Sequence, residues 1–428
     1  RMTYGARLFT IILAFQLLIA NPVLLEYSII PQIDCNDLNG NGHPDFIAVN
    51  SSPSPRSLYH VEFNGSVVEF LWEYSMPENI QGYFADMILG DFNNDEVLEL
   101  ITATYQDENE KIFYVFPVGV NGFNGLHPQI MGIGNSFLSI TQPWKLYAMN
   151  EDSEGYIPFI LTQGSPNRHI IICKYIDGEI NQVGSYGNEF LSQSVGPLEL
   201  SLGNFDGDGI EDIFVLSNGQ DPEGYFIFSD GSEESVPLNN YPRLRILYSS
   251  GVDLNFDGND DLLMVNGSDG LMSNIWGEES ILLSEINIQD IEISLDNGLI
   301  HLNSVSQTGK IAHYTIDPLT RNVLTSEHNL SQFTDTNIVQ IHSLVVSDHL
   351  LLINDSANPE LWSLSFALNQ MMETPPIPHL QRVYSQTADY VINLGDEFIY
   401  PIKKDTSKVF LHFTGENLPL DMEFNLES

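Results

Sequence analysis

The sequence predicts an all-β protein, a seven-bladed β-propeller of four-stranded blades. Three observations support this fold class. A nine-residue pattern of acidic and amide residues occurs four times, each time just before an apolar run. The copies are about 50 residues apart, or about twice that, and such a period is typical of propeller blades. Short β-branched and aromatic runs separated by Gly, Asn and Asp fill the intervals, as expected for strands and turns.

The repeated pattern places Asp, Asn or Glu at positions 1, 3, 5 and 9 of each nine-residue segment. Ca²⁺ takes about six to eight oxygen ligands, and by analogy with EF-hand loops the main-chain carbonyl of position 7 is a further ligand. We therefore predict calcium-binding loops that hold up to four Ca²⁺ ions. The predicted ligands are Asp37, Asn39, Asn41, His43 and Asp45 in the first loop, Asp91, Asn93, Asp95, Val97 and Glu99 in the second, Asn204, Asp206, Asp208, Ile210 and Asp212 in the third, and Asp253, Asn255, Asp257, Asn259 and Asp261 in the fourth.

Clusters of Asn, Asp and Gly also form turns that bind no metal. One copy alone would leave both readings open, whereas four copies in one register, each followed by a strand-like run, favour the metal. Position 6 is Gly42, Gly209 or Gly258 in three copies, which suits a turn with positive φ, and the second copy has Glu96 there. The first loop has two carboxylates and each of the others has three, so we expect the first loop to bind Ca²⁺ more weakly.

The spacing also predicts a degenerate fifth copy. The interval between the second and third copies is about twice the others, and Asn150–Pro158 lies within it. Asn150, Asp152, Glu154 and Gly155 match the pattern, but Pro158 stands where the last carboxylate belongs. Because proline has no side-chain oxygen, we expect a bare turn here.

Strand-like runs continue after the fourth loop and complete a propeller that we place at residues 27–376. The seven predicted units are 27–80, 81–142, 143–192, 193–240, 241–289, 290–334 and 335–376, and the last of them takes its fourth strand from the stretch near Met371. A closed ring leaves only short, protected sheet edges.

These loops and their period resemble the FG-GAP/VCBS repeat family, which includes the β-propeller of integrin α subunits. The resemblance implies that each loop joins the first two strands of a blade and binds calcium on one face, while partners dock on other surfaces. Val49-Asn-Ser and Leu216-Ser-Asn stand where the integrin form has Gly-Ala-Pro. The chain therefore resembles the bacterial VCBS style, and integrin ligand specificity does not carry over.

Both ends of the chain carry separate predictions. Residues 1–20 have a basic start and an apolar run, which indicates a secretory signal peptide, with an uncleaved membrane anchor as the alternative. After cleavage we expect no membrane insertion. Beyond a Pro-rich linker, residues 380–428 resemble the opening of a cadherin-like or immunoglobulin-like module. A complete module needs about 90–100 residues, so we expect either an incomplete module or a small β tail.

Charge and missing motifs limit the function. The chain has 58 acidic and 15 basic residues, a net charge of −43, which argues against nucleic acid and anionic lipid as partners. We find no catalytic motif and expect no enzyme activity. The sequence predicts a secreted or cell-surface calcium-binding propeller that binds an extracellular protein or glycan, as in adhesion. The alternatives are the propeller scaffold of a polysaccharide-degrading enzyme and a structural spacer of a larger surface protein.

Overall fold

The computed structural model describes residues 17–366 with gaps. The residues between these ends that are not described are 20–22, 26–27, 52–53, 65–66, 81, 107–111, 120–121, 124–126, 135–142, 164–168, 187–197, 218–222, 238–245, 253–257, 267–270, 275–279, 283–287, 297–298, 307–308, 318–321, 330–339, 347–348 and 355–359.

The described residues form β-strands joined by turns and loops. In chain order the strands are β1 (Leu17–Ile19), β2 (Val23–Leu24), β3 (Ile29–Asn36), β4 (Asp45–Asn50), β5 (Ser57–Phe63), β6 (Val68–Ser75), β7 (Gly82–Gly90), β8 (Leu98–Gln106), β9 (Phe113–Val118), β10 (Gln129–Met131), β11 (Ile133–Gly134), β12 (Pro143–Ala148), β13 (Phe159–Gln163), β14 (Ile170–Ile176), β15 (Glu179–Tyr186), β16 (Leu198–Gly203), β17 (Asp212–Ser217), β18 (Glu223–Ile227), β19 (Glu233–Pro237), β20 (Ile246–Val252), β21 (Asp261–Asn266), β22 (Leu271–Asn274), β23 (Ser280–Leu282), β24 (Ile288–Asp296), β25 (Leu299–Ser306), β26 (Lys310–Ile316), β27 (Val323–Asn329), β28 (Ile341–Val346), β29 (His349–Asn354) and β30 (Glu360–Phe366).

The strands form antiparallel meanders in a β-propeller arrangement. Sheets with four strands are β3–β6, β7–β10, β16–β19, β20–β23 and β24–β27. Two sheets have five strands. One contains β12–β15 with β11 added in parallel to β15, and the other contains β28–β30 with β1 and β2 both paired to β30.

The prediction of seven four-stranded blades is wrong, because only five sheets in the described part of the chain are four-stranded. Each extra strand comes from outside the predicted unit whose sheet it joins. Ile133–Gly134 falls in predicted unit 81–142 but pairs with β15 of the following sheet. The last sheet is completed by the N-terminal strands β1 and β2, and the expected strand near Met371 lies outside the described residues. Such pairings join segments far apart in sequence, so a local count of strand-like runs misses them.

The hydrophobic core lies between neighbouring sheets, and β4 shows why. Successive side chains of a strand point to opposite faces. Phe46 belongs to a buried cluster with Leu351 and Ile353 of the last sheet. Ile47, the next residue, belongs to a cluster with Leu100 of the second sheet. The first sheet therefore packs against both its chain neighbour and the last sheet, which gives the ring-like arrangement.

The chain ends are only partly described. Leu17–Ile19, within the predicted signal segment, pairs with β30, while residues 1–16 and the predicted module at 380–428 lie outside the described residues. Among the described residues, none belongs to a helix with the length and apolar character needed to span a membrane. Cys35 and Cys173 are buried free thiols, as expected for cysteines in different sheets.

Candidate functional site

The predicted loops occupy one place in successive sheets, the turn between the first and second strands. Asp37–Asp45 joins β3 to β4, Asp91–Glu99 joins β7 to β8, and Asn204–Asp212 joins β16 to β17. The fourth loop joins β20 to β21, and the degenerate loop Asn150–Pro158 joins β12 to β13. The resemblance correctly implied this location, and the period correctly located the degenerate copy.

The first three loops share one hydrogen-bond scaffold. Main-chain N–H groups of positions 2, 5, 6 and 7 donate to side-chain oxygens of positions 9, 3, 1 and 5, respectively. The carboxylate and amide side chains thus stabilise their own loop by accepting hydrogen bonds from its main chain, as in Asx turns. The donor–acceptor pairs, with N···O distances, are Leu38–Asp45 (2.9 Å), Phe92–Glu99 (3.0 Å), Phe205–Asp212 (2.9 Å), Asn41–Asn39 (3.1 Å), Asp95–Asn93 (3.0 Å), Asp208–Asp206 (3.0 Å), Gly42–Asp37 (2.7 Å), Glu96–Asp91 (2.9 Å), Gly209–Asn204 (3.0 Å), His43–Asn41 (2.8 Å), Val97–Asp95 (2.9 Å) and Ile210–Asp208 (2.7 Å).

Position 6 has the left-handed backbone that the glycine pattern predicts. Its φ is +89° at Gly42, +86° at Gly209 and +93° at Gly258. Glu96 adopts the same conformation with φ +66° although it carries a side chain. The shared scaffold requires this geometry even in the copy that lacks glycine. Glu96 therefore adopts a conformation that is energetically unfavourable for a residue with a Cβ, and the glycines of the other copies avoid this cost in free energy.

Position 9 is buried in all four copies. The exposed fractions are 0% for Asp45, 2% for Glu99, 1% for Asp212 and 5% for Asp261. Burial raises the pKa of Glu99 to about 7, and the nearby charges of the loop add to the rise. Asp45 Oδ1 accepts no hydrogen bond in this structure. A buried carboxylate oxygen without a partner raises the free energy of the folded state. The unpartnered Oδ1 of Asp45 therefore favours a cation in the first loop.

A strand residue that the sequence pattern did not single out also reaches the first loop. Glu62 on β5 lies directly across from Asp45 and is only 5% exposed. Its Oε2 accepts hydrogen bonds from the side-chain amides of Asn39, at 3.0 Å, and Asn41. His60 Nε2 lies 3.4 Å from Asp45 Oδ2.

The degenerate loop keeps part of the scaffold and contains a lysine. Glu154 N donates to Asp152 Oδ1 at 2.8 Å, which reproduces the bond between positions 5 and 3 of the other loops. Lys174 Nζ contacts Asp152 Oδ2, and it lies 3.6 Å from Glu154 Oε2. The hydrogen bond to Asp152 raises the pKa of Lys174. Burial pushes the pKa of Asp152 upward, but the hydrogen bonds from Lys174 and the loop outweigh it and leave the pKa lowered.

Position 8, which the prediction did not use, joins neighbouring loops. Asn204 N donates to Asp260 Oδ2 of the fourth loop at 2.7 Å, and Asp260 N donates back to Asn204 O at 2.9 Å. In the same way, Asn150 N donates to Glu211 Oε2 of the third loop at 2.8 Å. Burial raises the pKa of Glu211 to about 7. The sequence signal that could have predicted these contacts is the acidic residue at position 8 of the third and fourth copies.

The donor set suits calcium in kind, since the loops offer carboxylate, amide and main-chain oxygens. The carboxylates of the described loops do not converge, however. The described part of the chain contains no group of three or more His, Cys, Asp or Glu side chains placed to hold a metal. Several carboxylates instead accept hydrogen bonds from their own loop. Asp253, Asn255 and Asp257 lie outside the described residues, while Asn259 is exposed and Asp261 opens β21.

The sheets and their loops define the class of the protein as a β-propeller. Within it, residues 37–102, which cover the first two loops, match the family model described as the FG-GAP-like repeat. FG-GAP repeats are typical of extracellular proteins, and the fold is consistent with an extracellular adhesion-like or scaffold module. A search of the curated proteins found no match.

Solved structures share the fold at low sequence identity. The similar chains include BBS1N in complex with ARL6DN from crystals soaked with lead, with 11% identity and a TM-score of 0.50 over 82% of this chain and 98% of that chain. The corresponding mercury soak gives 10% identity and a TM-score of 0.50, over 82% of this chain and 97% of that chain. Raptor from Chaetomium thermophilum gives 8% identity and a TM-score of 0.53, over 82% of this chain but 29% of that chain. Identities this low show the fold alone.

Proposed function

We infer that this chain is a secreted or cell-surface β-propeller that binds calcium in its loops and presents a rigid surface to an extracellular protein or glycan. The observation that carries the proposal is the repeated loop scaffold, in which a buried acidic residue lies at the start of the second strand of successive sheets. The unpartnered Oδ1 of Asp45 supports a cation in the first loop. The main-chain oxygens of His43, Val97, Ile210 and Asn259 stay in the proposed ligand sets.

Calcium has a structural part in this proposal. Acidic side chains are gathered at the loops within a chain that already carries a net charge of −43. Like charges at short range raise the free energy of the folded state, and a divalent cation offsets that repulsion. An ion bound only by the folded chain also stabilises it by mass action. Calcium would thus hold the loops and, through them, the first two strands of their sheets.

The charge also restricts the partner. A surface rich in Asp and Glu attracts basic partners, does not repel neutral ones and repels anionic ones. We therefore expect a neutral glycan or a basic protein surface to bind, away from the acidic loops. Calcium-dependent binding to such a partner is the activity of an adhesion module.

A binding screen in two buffers tests this function. The purified chain is applied to an array of neutral and acidic glycans and to immobilised extracellular proteins, once with millimolar calcium and once with chelator. We expect binding without turnover that weakens when calcium is removed. Equal binding in both buffers would contradict the calcium-dependent part, and release of unsaturated sugar products would contradict the assignment as a binding module.

A further inference from the structure

One cross-strand position faces a loop in two different sheets. Asp45, at position 9 of the first loop, pairs with Glu62 on β5. In the degenerate loop Phe159 pairs with Cys173, so in this antiparallel register the next facing residues are Pro158, at position 9, and Lys174. Glu62 and Lys174 therefore occupy equivalent places, although they carry opposite charges.

Both side chains reach the same two loop positions. Lys174 Nζ contacts Asp152 at position 3 and lies 3.6 Å from Glu154 at position 5. Its ammonium also lies 5.8 Å from the centre of the Tyr156 ring, a distance at which the ring face attracts a cation. The lysine thus pairs with two carboxylates and offsets one of their two negative charges, in a loop whose ninth residue, Pro158, offers no side-chain oxygen.

In the first loop the facing residue is the hydrogen-bond acceptor and the loop side chains are the donors. Positions 3 and 5 are the amides Asn39 and Asn41, and both side-chain nitrogens donate to Glu62. Glu62 is 5% exposed, and the neighbouring Asp45 is fully buried with Oδ1 unpartnered. Asp37 and Asp45 are the two carboxylates that the pattern supplies at this loop, and Glu62 is a third beside them, although in this structure the three are not placed as one metal-holding group.

The second and third loops have no charge at this place. Glu99 pairs with Pro117, and the Ile213–Ile227 pair places Phe228 opposite Asp212. Both loops already contain three carboxylates within the nine residues. Among the four loops whose facing residue the structure describes, a charged one is therefore found where the pattern is short of carboxylates, at the first loop, or lacks its last ligand, at the degenerate loop.

We propose that the residue opposite position 9 sets the cation requirement of its loop. Lys174 is the resident cation of the degenerate loop, which consequently needs no metal. Glu62 is an added carboxylate ligand that restores calcium affinity to the first loop. The Glu62 part rests on the proposed calcium function, whereas the Lys174 part does not.

Calcium counting tests Glu62. Equilibrium dialysis with radioactive calcium measures the ions bound by the full chain and by the Glu62→Lys, Glu62→Gln and Glu69→Lys variants. Glu69 faces Glu62 on β6 and is exposed, so it provides the same charge change one strand further from the loop. We expect Glu62→Lys to bind one ion fewer, Glu62→Gln to bind one ion several-fold more weakly, and Glu69→Lys to match the wild type.

Thermal unfolding in chelator tests Lys174. Lys174→Met leaves Asp152 and Glu154 without their cation, so we expect its midpoint to fall by a few degrees in chelator. Adding Asp152→Asn to this variant removes the excess charge and should restore part of the loss. The Lys310→Met variant breaks the exposed Lys310–Glu327 pair, 3.0 Å long, and should shift the midpoint little.

The outcomes separate this proposal from the proposed function. If Lys174→Met unfolds at the wild-type midpoint in chelator, Lys174 is not the resident cation of the degenerate loop. If Glu62→Lys keeps the wild-type calcium count, Glu62 is not a ligand. A wild-type chain that binds no calcium would overturn the proposed function and the Glu62 part together, and the chelator experiments would still decide the Lys174 part.

Discussion

Replacing Glu96 with glycine should stabilise the protein, although the change removes a side chain. Glu96 has φ +66°, where a residue with a Cβ costs about 1–2 kcal/mol. Glycine loses about 0.4–1 kcal/mol through the greater freedom of the unfolded chain. The side chain is exposed, so little packing is lost. The net expectation is a gain of about 0.5–1 kcal/mol in the free energy of unfolding.

Urea unfolding in chelator, followed by tryptophan fluorescence, measures this gain. Glu96→Ala is the matched control, because it removes the same carboxylate but keeps the backbone strain. Gly209→Ala is the reverse test, since Gly209 has φ +86° and open space around its Cα, and it should lose stability through backbone strain alone. If Glu96→Gly is no more stable than Glu96→Ala, the shared left-handed geometry of position 6 is wrong.

Three further predictions concern contacts between sheets. Gly207→Ala should destabilise more than Gly209→Ala in urea, because its added methyl group would collide with the Asn259 side chain of the next loop; equal losses would contradict that contact. Asp260→Ala removes the acceptor of Asn204 N, a partly buried donor, and a donor left unpaired costs up to about 1–3 kcal/mol; amide exchange of residues 204–212 should accelerate, and unchanged exchange would argue against the hydrogen bond between the two loops. Burial raises the pKa of Asp86, whose Oδ2 accepts a hydrogen bond from Leu146 N. The folded state therefore binds its proton more tightly than the unfolded state, and stability should fall as pH rises from 3.8 through the raised pKa; Asp86→Asn should flatten this slope in melts at several pH values, and an unchanged slope would contradict it.

Local chemistry made the loops predictable. The alternation of Asp and Asn with glycine at position 6 determines hydrogen bonds within nine residues, so their register, the left-handed backbone of Gly42 and the degenerate copy at Asn150–Pro158 follow from the sequence. The calcium ligands assigned on that register remain a prediction.

Contacts between distant segments were not predictable in the same way. The pairing of β11 with β15, and of β1 and β2 with β30, made the expected count of four-stranded blades wrong. Glu62 and Lys174 were missed because their role depends on which residue they face across a strand pair. The exact register of a pair is fixed by tertiary packing and turn geometry.

The central claim is that calcium stabilises this propeller through its loops, and thermal unfolding at increasing calcium tests it most directly. With affinities of about 10⁻⁴–10⁻³ M, typical of extracellular modules, about 10 mM calcium should add roughly 1–3 kcal/mol per occupied loop. The midpoint should rise with calcium in the wild type, rise less in Asp208→Asn, and rise fully in Asp230→Asn, whose carboxylate lies in a hairpin turn outside the loops. A wild-type midpoint that stays constant from chelator to 10 mM calcium would contradict the account.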